Sequence, residues 1–277
     1  MRVPFILKTV SATLLAVASL AAHADQLSDI KKKGEIVIGV LGIDEPNSFI
    51  DPKTREFIGY EIDLAKAIAA KIGVKPVFKQ IAVAARIPEL QQGGVDLLAA
   101  SLTHNKEREA QVDFSLTTVV TGQKALVKKS SGIKDVPDLA GKKVVTVKGG
   151  TQEPNTKKAV PTAEVVTFEN TQQAFQALQQ GKGVAFVNDE ASLIAEHAKL
   201  GDKAKDYVIL PQNLSVEPLA FGIKKGETSL KLAVDDTLRG LEKSGAAEKT
   251  FLQWYGPNTS LKFPKRTFKI DSDKIDG

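Results

Sequence analysis

GYEIDLAKAIAAKIGVKPVF, residues 59–78, decides the fold class. Ile62, Ala65, Ile68, Ala69 and Ile72 recur at helical spacing and predict a helix over residues 61–72, which Gly73 ends by supplying the conformation that favours a C-terminal cap. Val74 to Phe78 then reads as a strand. Upstream, EIVIGV at 35–40 is a short, apolar, β-rich strand. Downstream, 87–92 predicts a short helix closed by Gly93 and Gly94, and 95–99 a third apolar strand. Strand, helix, strand, helix, strand in this order argues for an α/β unit with parallel pairing and right-handed crossovers.

The same grammar restarts further along. Residues 143–147 predict a strand, Gly149 to Thr151 a glycine-containing turn, and the polar stretch after Pro154 the start of a helix. Residues 165–168 read as a strand, 171–180 as a helix ended by Gly181, and 184–187 as another strand. Two extended apolar stretches, 114–127 and 208–223, border this second unit and read as crossings between two lobes. The expected organisation is lobe 1 over 25–120 and 218–277, with lobe 2 inserted over 121–217 and a hinged cleft between them. A single doubly wound domain is the competing architecture.

Residues 1–24 read as a leader rather than as part of the fold. Arg2 and Lys8 give a positive start, 9–20 are mostly apolar, and Ala22-His23-Ala24 has the small-x-small form of a cleavage site, so cleavage is expected near Ala24. The apolar run is short for a membrane span of about 20 residues. No cysteine follows it, which removes a lipid anchor on cysteine, disulfides, thiolate nucleophiles and sulfur-held metals together. With three histidines, one of them in the leader, a histidine-rich metal centre cannot be assembled, and no cofactor is expected. The formal net charge of +5, reduced by two if Arg2 and Lys8 are removed, comes from dispersed residues and gives no nucleic-acid footprint.

DLLAASLTHNKEREAQVDFS, residues 96–115, carries the chemistry. Ser101 and Thr103 lie two apart and share one face of an extended backbone, while Arg108 offers the planar donor fork that matches a carboxylate. This segment resembles the anion-gripping stretch of periplasmic polar amino-acid-binding proteins, the solute receptors of ABC importers (bacterial solute-binding protein family 3). Five further segments are similar to that family in its own order: GEIVIGV (34–40), GYEIDLAKAIAAKIG (59–73), ARIPELQQGGVDLLAASLT (85–103), DLAGKKVVTVKGGTQ (138–152) and AFVNDEA (185–191). The resemblance implies a two-lobed periplasmic receptor, monomeric, that hands an amino acid to the membrane subunits of an ABC permease. It also implies that Arg108 clamps the ligand α-carboxylate with Ser101 and Thr103, that Gly149 and Thr151 add donors from the opposite lobe, and that Asp189 accepts from the α-ammonium. Glycine suits that role because it lets backbone N–H groups approach a ligand closely.

Several residues depart from the family pattern. Asn105 and Lys106 stand where a threonine-proline pair is common, and His104 where an apolar residue is usual. The loop from Asp44 to Phe49 lacks two neighbouring aromatics, leaving Phe49 to cover one face of a ligand. Arg86, before Ile-Pro, resembles an arginine of members that take acidic or amide amino acids, and points to glutamate or aspartate. The alternative is that Arg86 caps the preceding strand or pairs with Glu89 on the surface. Glu45 and Asp44 pull the other way, since a carboxylate in the pocket attracts a basic ligand. A cyclohexadienyl dehydratase-like enzyme would use the same cleft, but nothing places Asp189, Glu190 and Glu45 as a catalytic pair, and binding without turnover is the expectation.

Overall fold

The computed structural model describes residues 25–272; the expected leader and its cleavage site, and residues 273–277, lie outside them. Lobe 1 begins with α1 (Gln26–Lys33), β1 (Glu35–Val40) and a small antiparallel sheet of β2 (Ile43–Asp44), β3 (Ser48–Ile50) and β4 (Phe57–Ile58). It continues through α2 (Tyr60–Ile72), β5 (Lys75–Gln80), α3 (Arg86–Gln91), β6 (Leu97–Thr103), α4 (Lys106–Glu109) and the long strand β7 (Val112–Lys128). Lobe 2 comprises β8 (Lys143–Val147), α5 (Gln152–Ala159), β9 (Glu164–Phe168), α6 (Thr171–Gln179), β10 (Ala185–Asp189), α7 (Glu190–Ala198) and β11 (Tyr207–Ile209). The chain returns along β12 (Ser215–Lys224) and closes with α8 (Thr228–Lys243) and α9 (Ala246–Tyr255).

The main sheet runs β5-β1-β6-β12-β7-β10-β8-β9, with β11 paired to β7. Each lobe keeps the parallel pairing expected of its strand-helix alternation: β1 lies parallel to β5 and β6, and β8 parallel to β9 and β10. β7 and β12 are the crossings. Over its first half β7 pairs antiparallel with β12, and from Gln123 onward it pairs with β10, so one continuous strand serves both lobes.

Local sequence explains the lobe 1 frame. Ile62, Leu64, Ala65, Ile68, Ala69 and Ile72 bury the core face of α2, and Gly73, at φ +85, donates its N–H to Ala69 and Ala70 to close the last turn. Gly59 opens the helix at φ +134, where an added Cβ would lie 2.3 Å from the Asn47 carbonyl oxygen. The residues after α9 do not trail away. Leu261 and Ile270 are buried in the lobe 1 core, Phe263 and Phe268 pack against it, and Arg266 forks onto Glu242 at 2.6 and 2.7 Å and reaches Glu248 at 2.8 Å. Burying an aliphatic side chain is worth about 1.5–3 kcal/mol, which accounts for the attachment of a segment that reads as a polar tail.

Three boundaries differ from the sequence reading. The third strand lies at Leu97–Thr103 rather than 95–99, so it carries Ser101 and Thr103 within the sheet. Helix α5 starts at Gln152, two residues before Pro154, which sits in the first turn where a missing N–H costs nothing. The stretch 208–223 is two strands, because Pro211 interrupts pairing between β11 and β12.

Candidate functional site

The ends of β6 and β10, the β2 loop and the turn after β8 meet between the lobes. Gly149, at φ +81, comes so close to lobe 1 that an added Cβ would stand 2.5 Å from Ala84 Cα. Its carbonyl is the meeting point of two cations: Arg86 Nη2 donates to it at 3.1 Å and Arg108 Nη2 at 3.2 Å. Two guanidinium groups converging on one oxygen define a place where negative charge is favoured.

Arg108 is held by its own helix. Asn105 caps α4 by accepting from the Arg108 N–H, and Arg108 Nη1 donates to the Thr103 carbonyl at 3.0 Å. Arg86 is bound more completely: Nε donates to Val83 O, and Nη1 to both Ala100 O and Ser101 O at 2.9 and 2.8 Å. With the Gly149 contact, four of the five N–H donors of this guanidinium meet backbone carbonyls. Arg86 is 4% exposed and Glu89 pairs with Lys79 instead, so the surface Arg86–Glu89 pair does not form. Burial, and then Arg108 beside it, pushes Arg86 down to about 9; burial likewise lowers Arg108.

Carboxylates surround these cations. Asp44 accepts from Ser101 Oγ in lobe 1 and from Ser192 Oγ of lobe 2 at 2.7 Å. Glu217, on the crossing strand β12, accepts from Thr151 Oγ1 and from Asn155 Nδ2, both at 2.8 Å. Gln123, on the other crossing strand, donates to Thr151 Oγ1 at 2.8 Å. Asp189 ends β10, where burial and then Glu217 and Asp44 push its carboxyl up to about 7 against the opposing pull of Arg86. Gln152 turns its amide nitrogen to Asn188, and its buried Oε1 has no hydrogen-bond partner among the described residues.

Of the residues singled out from sequence, Arg86, Ser101, Thr103, Thr151 and Asp189 line one small cleft pocket of about 30 Å³, with Arg108 and Gly149 bonded beside it. That space shares Leu41, Asp44, Val83 and Thr171 with a larger interlobe chamber of about 360 Å³ that also takes in Ile43, Ile81 and Glu169. Phe49 lies elsewhere, edge-on to Trp254 at 5.8 Å, and Glu45 faces Lys199 at 3.7 Å; neither lines the small pocket. His104 stacks on Phe114 at 4.2 Å and meets Glu109, a packing role. Thr151 stands at the N-terminus of α5 without capping it by its side chain. Sequence reading passed over Glu61, Gln123, Gln152, Ser192 and Glu217. Asn155, whose amide nitrogen donates to both Gln123 Oε1 and Glu217 Oε1, forms a signal only once the crossing strands are known to touch.

Two α/β lobes, one inserted into the other and joined to it by two crossing strands over a charged cleft, define a solute-binding protein. The match over residues 36–257 to the bacterial extracellular solute-binding proteins, family 3, makes the chain a member of that family. It is 35% identical over 241 residues to the ABC transporter glutamine-binding protein GlnH of Bacillus subtilis, covering 86% of this chain and 87% of that protein. It is 33% identical over 287 residues to a glutamate/aspartate import solute-binding protein of Escherichia coli, covering 94% and 93%. Among solved structures, an ancestral amino acid-binding protein described as a precursor of cyclohexadienyl dehydratase superposes with a TM-score of 0.75 at 35% identity, covering 83% of this chain and 99% of that one. The chain is a periplasmic receptor for polar amino acids that serves an ABC importer.

Proposed function

We propose that the ligand is a free polar amino acid with an uncharged, amide-type side chain, of which glutamine is the simplest example. The observation that carries this reading is the charge balance of the cleft. Asp44, Glu61, Asp189 and Glu217 gather around two guanidinium groups, and Arg86 has four of its five N–H donors committed to backbone carbonyls. A second ligand carboxylate would add negative charge where Asp189 is already driven to hold its proton, whereas an amide brings donors to a site rich in acceptors.

In this reading the α-carboxylate takes the position at which Arg108 and Arg86 converge, now served by the Gly149 carbonyl, with Thr103 and Thr151 beside it. The α-ammonium meets Asp189 and Asp44, and the side chain extends from the narrow charged end towards the larger chamber. The lobes divide near residues 120 and 217, a division supported by the change of β7 partner from β12 to β10 at Gln123.

Glutamate or aspartate is the second reading, favoured by the Arg86 N–H that has no acceptor among the described residues and by the position of Arg86 on the cavity wall. A thermal-shift panel of the common amino acids, on protein unfolded and refolded to strip carried-over ligand, separates the two. The largest rise with glutamine supports the amide reading. A rise confined to glutamate and aspartate overturns it.

A further inference from the structure

Glu61 is a buried acid that the proposed ligand contacts leave unused. It is the second residue of α2, where an acidic side chain ordinarily faces solvent and complements the helix dipole. Here it is 1% exposed and turns inward, with both carboxylate oxygens 3.0 Å from the N–H of Ser101. Ser101 has φ +49, a left-handed conformation that an L side chain adopts only when its surroundings enforce it. The contact of its N–H with the Glu61 carboxyl supplies that enforcement.

In this conformation Ser101 serves both polarities of the cleft at once. Its carbonyl accepts from Arg86 Nη1 at 2.8 Å, and its hydroxyl donates to Asp44 Oδ2. Asp44 in turn accepts Ser192 Oγ from lobe 2, so the chain of contacts from Glu61 reaches across the lobe junction.

We propose that Glu61 is a positioning residue for the ligand site: by fixing Ser101 it sets the Arg86 guanidinium and the Asp44 carboxylate together, and ligand binding is linked to its proton. The inference rests on the amino-acid reading of the cleft. The charged and titratable groups that face Glu61 are Asp44 from β2, Arg86 from α3, Tyr255 from α9 and Tyr60 on its own helix. Burial and then Asp44 push its carboxyl up to about 8, while the Ser101 N–H and Arg86 pull it down. At neutral pH the acid therefore holds its proton. A ligand ammonium arriving at Asp44 stabilises the ionised form of Glu61, so binding releases the proton and strengthens as pH rises towards 8.

The test is calorimetry from about pH 6 to 8.5 on wild type and Glu61→Gln, using the amino acid with the largest thermal shift, together with carboxyl-carbon NMR titration of Glu61 in the wild-type protein. The expected result is affinity about tenfold weaker in E61Q, loss of the pH step near 8 with the Asp189 step near 7 retained, and a Glu61 titration displaced to lower pH by ligand. Wild-type affinity with an unchanged pH profile in E61Q overturns the proposal, as does a Glu61 titration identical with and without ligand. If E61Q does not fold, the wild-type titration decides alone. Wild-type protein that binds no amino acid defeats the functional reading itself, and this inference with it.

Discussion

The two walls of the cleft recognise a ligand by different means. Lobe 1 presents the guanidinium groups of Arg86 and Arg108 together with the acid Asp44, backed by the buried Glu61, each pinned by hydrogen bonds. Lobe 2 presents mainly dipoles, the Gly149 carbonyl, Thr151, Gln152, Asn188 and Ser192, with the acid Asp189 among them on the small pocket. Lobe 1 is thus the more expensive surface to disturb, because removing one member leaves an opposite charge desolvated, whereas lobe 2 depends on how closely its backbone can approach.

The largest effect expected falls on the charged wall. Arg108→Ala should abolish binding of every amino acid, a loss of about 3 kcal/mol or more in calorimetry, since a desolvated α-carboxylate would lose its clamp. Binding of normal strength to folded R108A would show that the dipolar wall alone holds the carboxylate.

On the dipolar wall, Gly149→Ala should act through closure. The added methyl would collide with the Ala84 backbone across the junction, and φ +81 is strained for alanine. Ligand affinity should fall by about ten- to a hundredfold, roughly 1.4–2.8 kcal/mol, while the ligand-free unfolding temperature changes little by comparison. Equal loss of both would place the methyl's cost within lobe 2 instead.

Arg86→Ala distinguishes a scaffold charge from a specificity charge. With its donors tied to Val83, Ala100, Ser101 and Gly149, the substitution should weaken acidic and neutral ligands to a similar extent and lower thermal stability. A loss confined to glutamate and aspartate would return Arg86 to the side-chain contact expected from sequence.

What could be read in the chain was what local pattern encodes. The period of α2, the glycine caps and the Ser101-x-Thr103 spacing are short-range features, and they give the α/β lobes and much of the charged wall. Glu61 was hidden because a first-turn glutamate reads as a solvent-facing dipole partner, and only the left-handed turn at Ser101 draws it inward. Glu217 and Gln123 lie on different crossing strands, 94 residues apart in sequence, and meet Thr151 only through pairing of β7 with β12. Residues 261–270 could be assigned to lobe 1 from the sequence but not their contacts, because Leu261, Phe263, Phe268 and Ile270 follow neither the helical nor the strand period.

A smaller effect concerns stability without ligand. Glu61 and Asp189 are pushed up to about 8 and about 7, so between the ordinary carboxylate range and pH 8 the folded chain holds protons that the unfolded chain has released. Their contribution is therefore fully present at the acidic end of that window and is lost as pH rises through it. Asp51, Asp138 and Glu242, all held low, act in the opposite sense, but their window lies below the ordinary carboxylate range. The unfolding temperature of stripped protein should drop by several degrees from about pH 5 to pH 8, and E61Q should flatten the drop. A flat or rising curve would mean that the carboxylates of the charged wall are fully compensated.

The most direct measurement is calorimetric titration of stripped, refolded protein with glutamine and with glutamate at pH 7 and fixed salt. The account predicts that glutamine binds at least about tenfold more tightly, a difference near 1.4 kcal/mol, because a ligand side-chain carboxylate would add negative charge where Asp189 is already driven to hold its proton. Tighter binding of glutamate would contradict it and would mean that Arg86 exchanges its backbone carbonyls for the ligand's distal carboxylate.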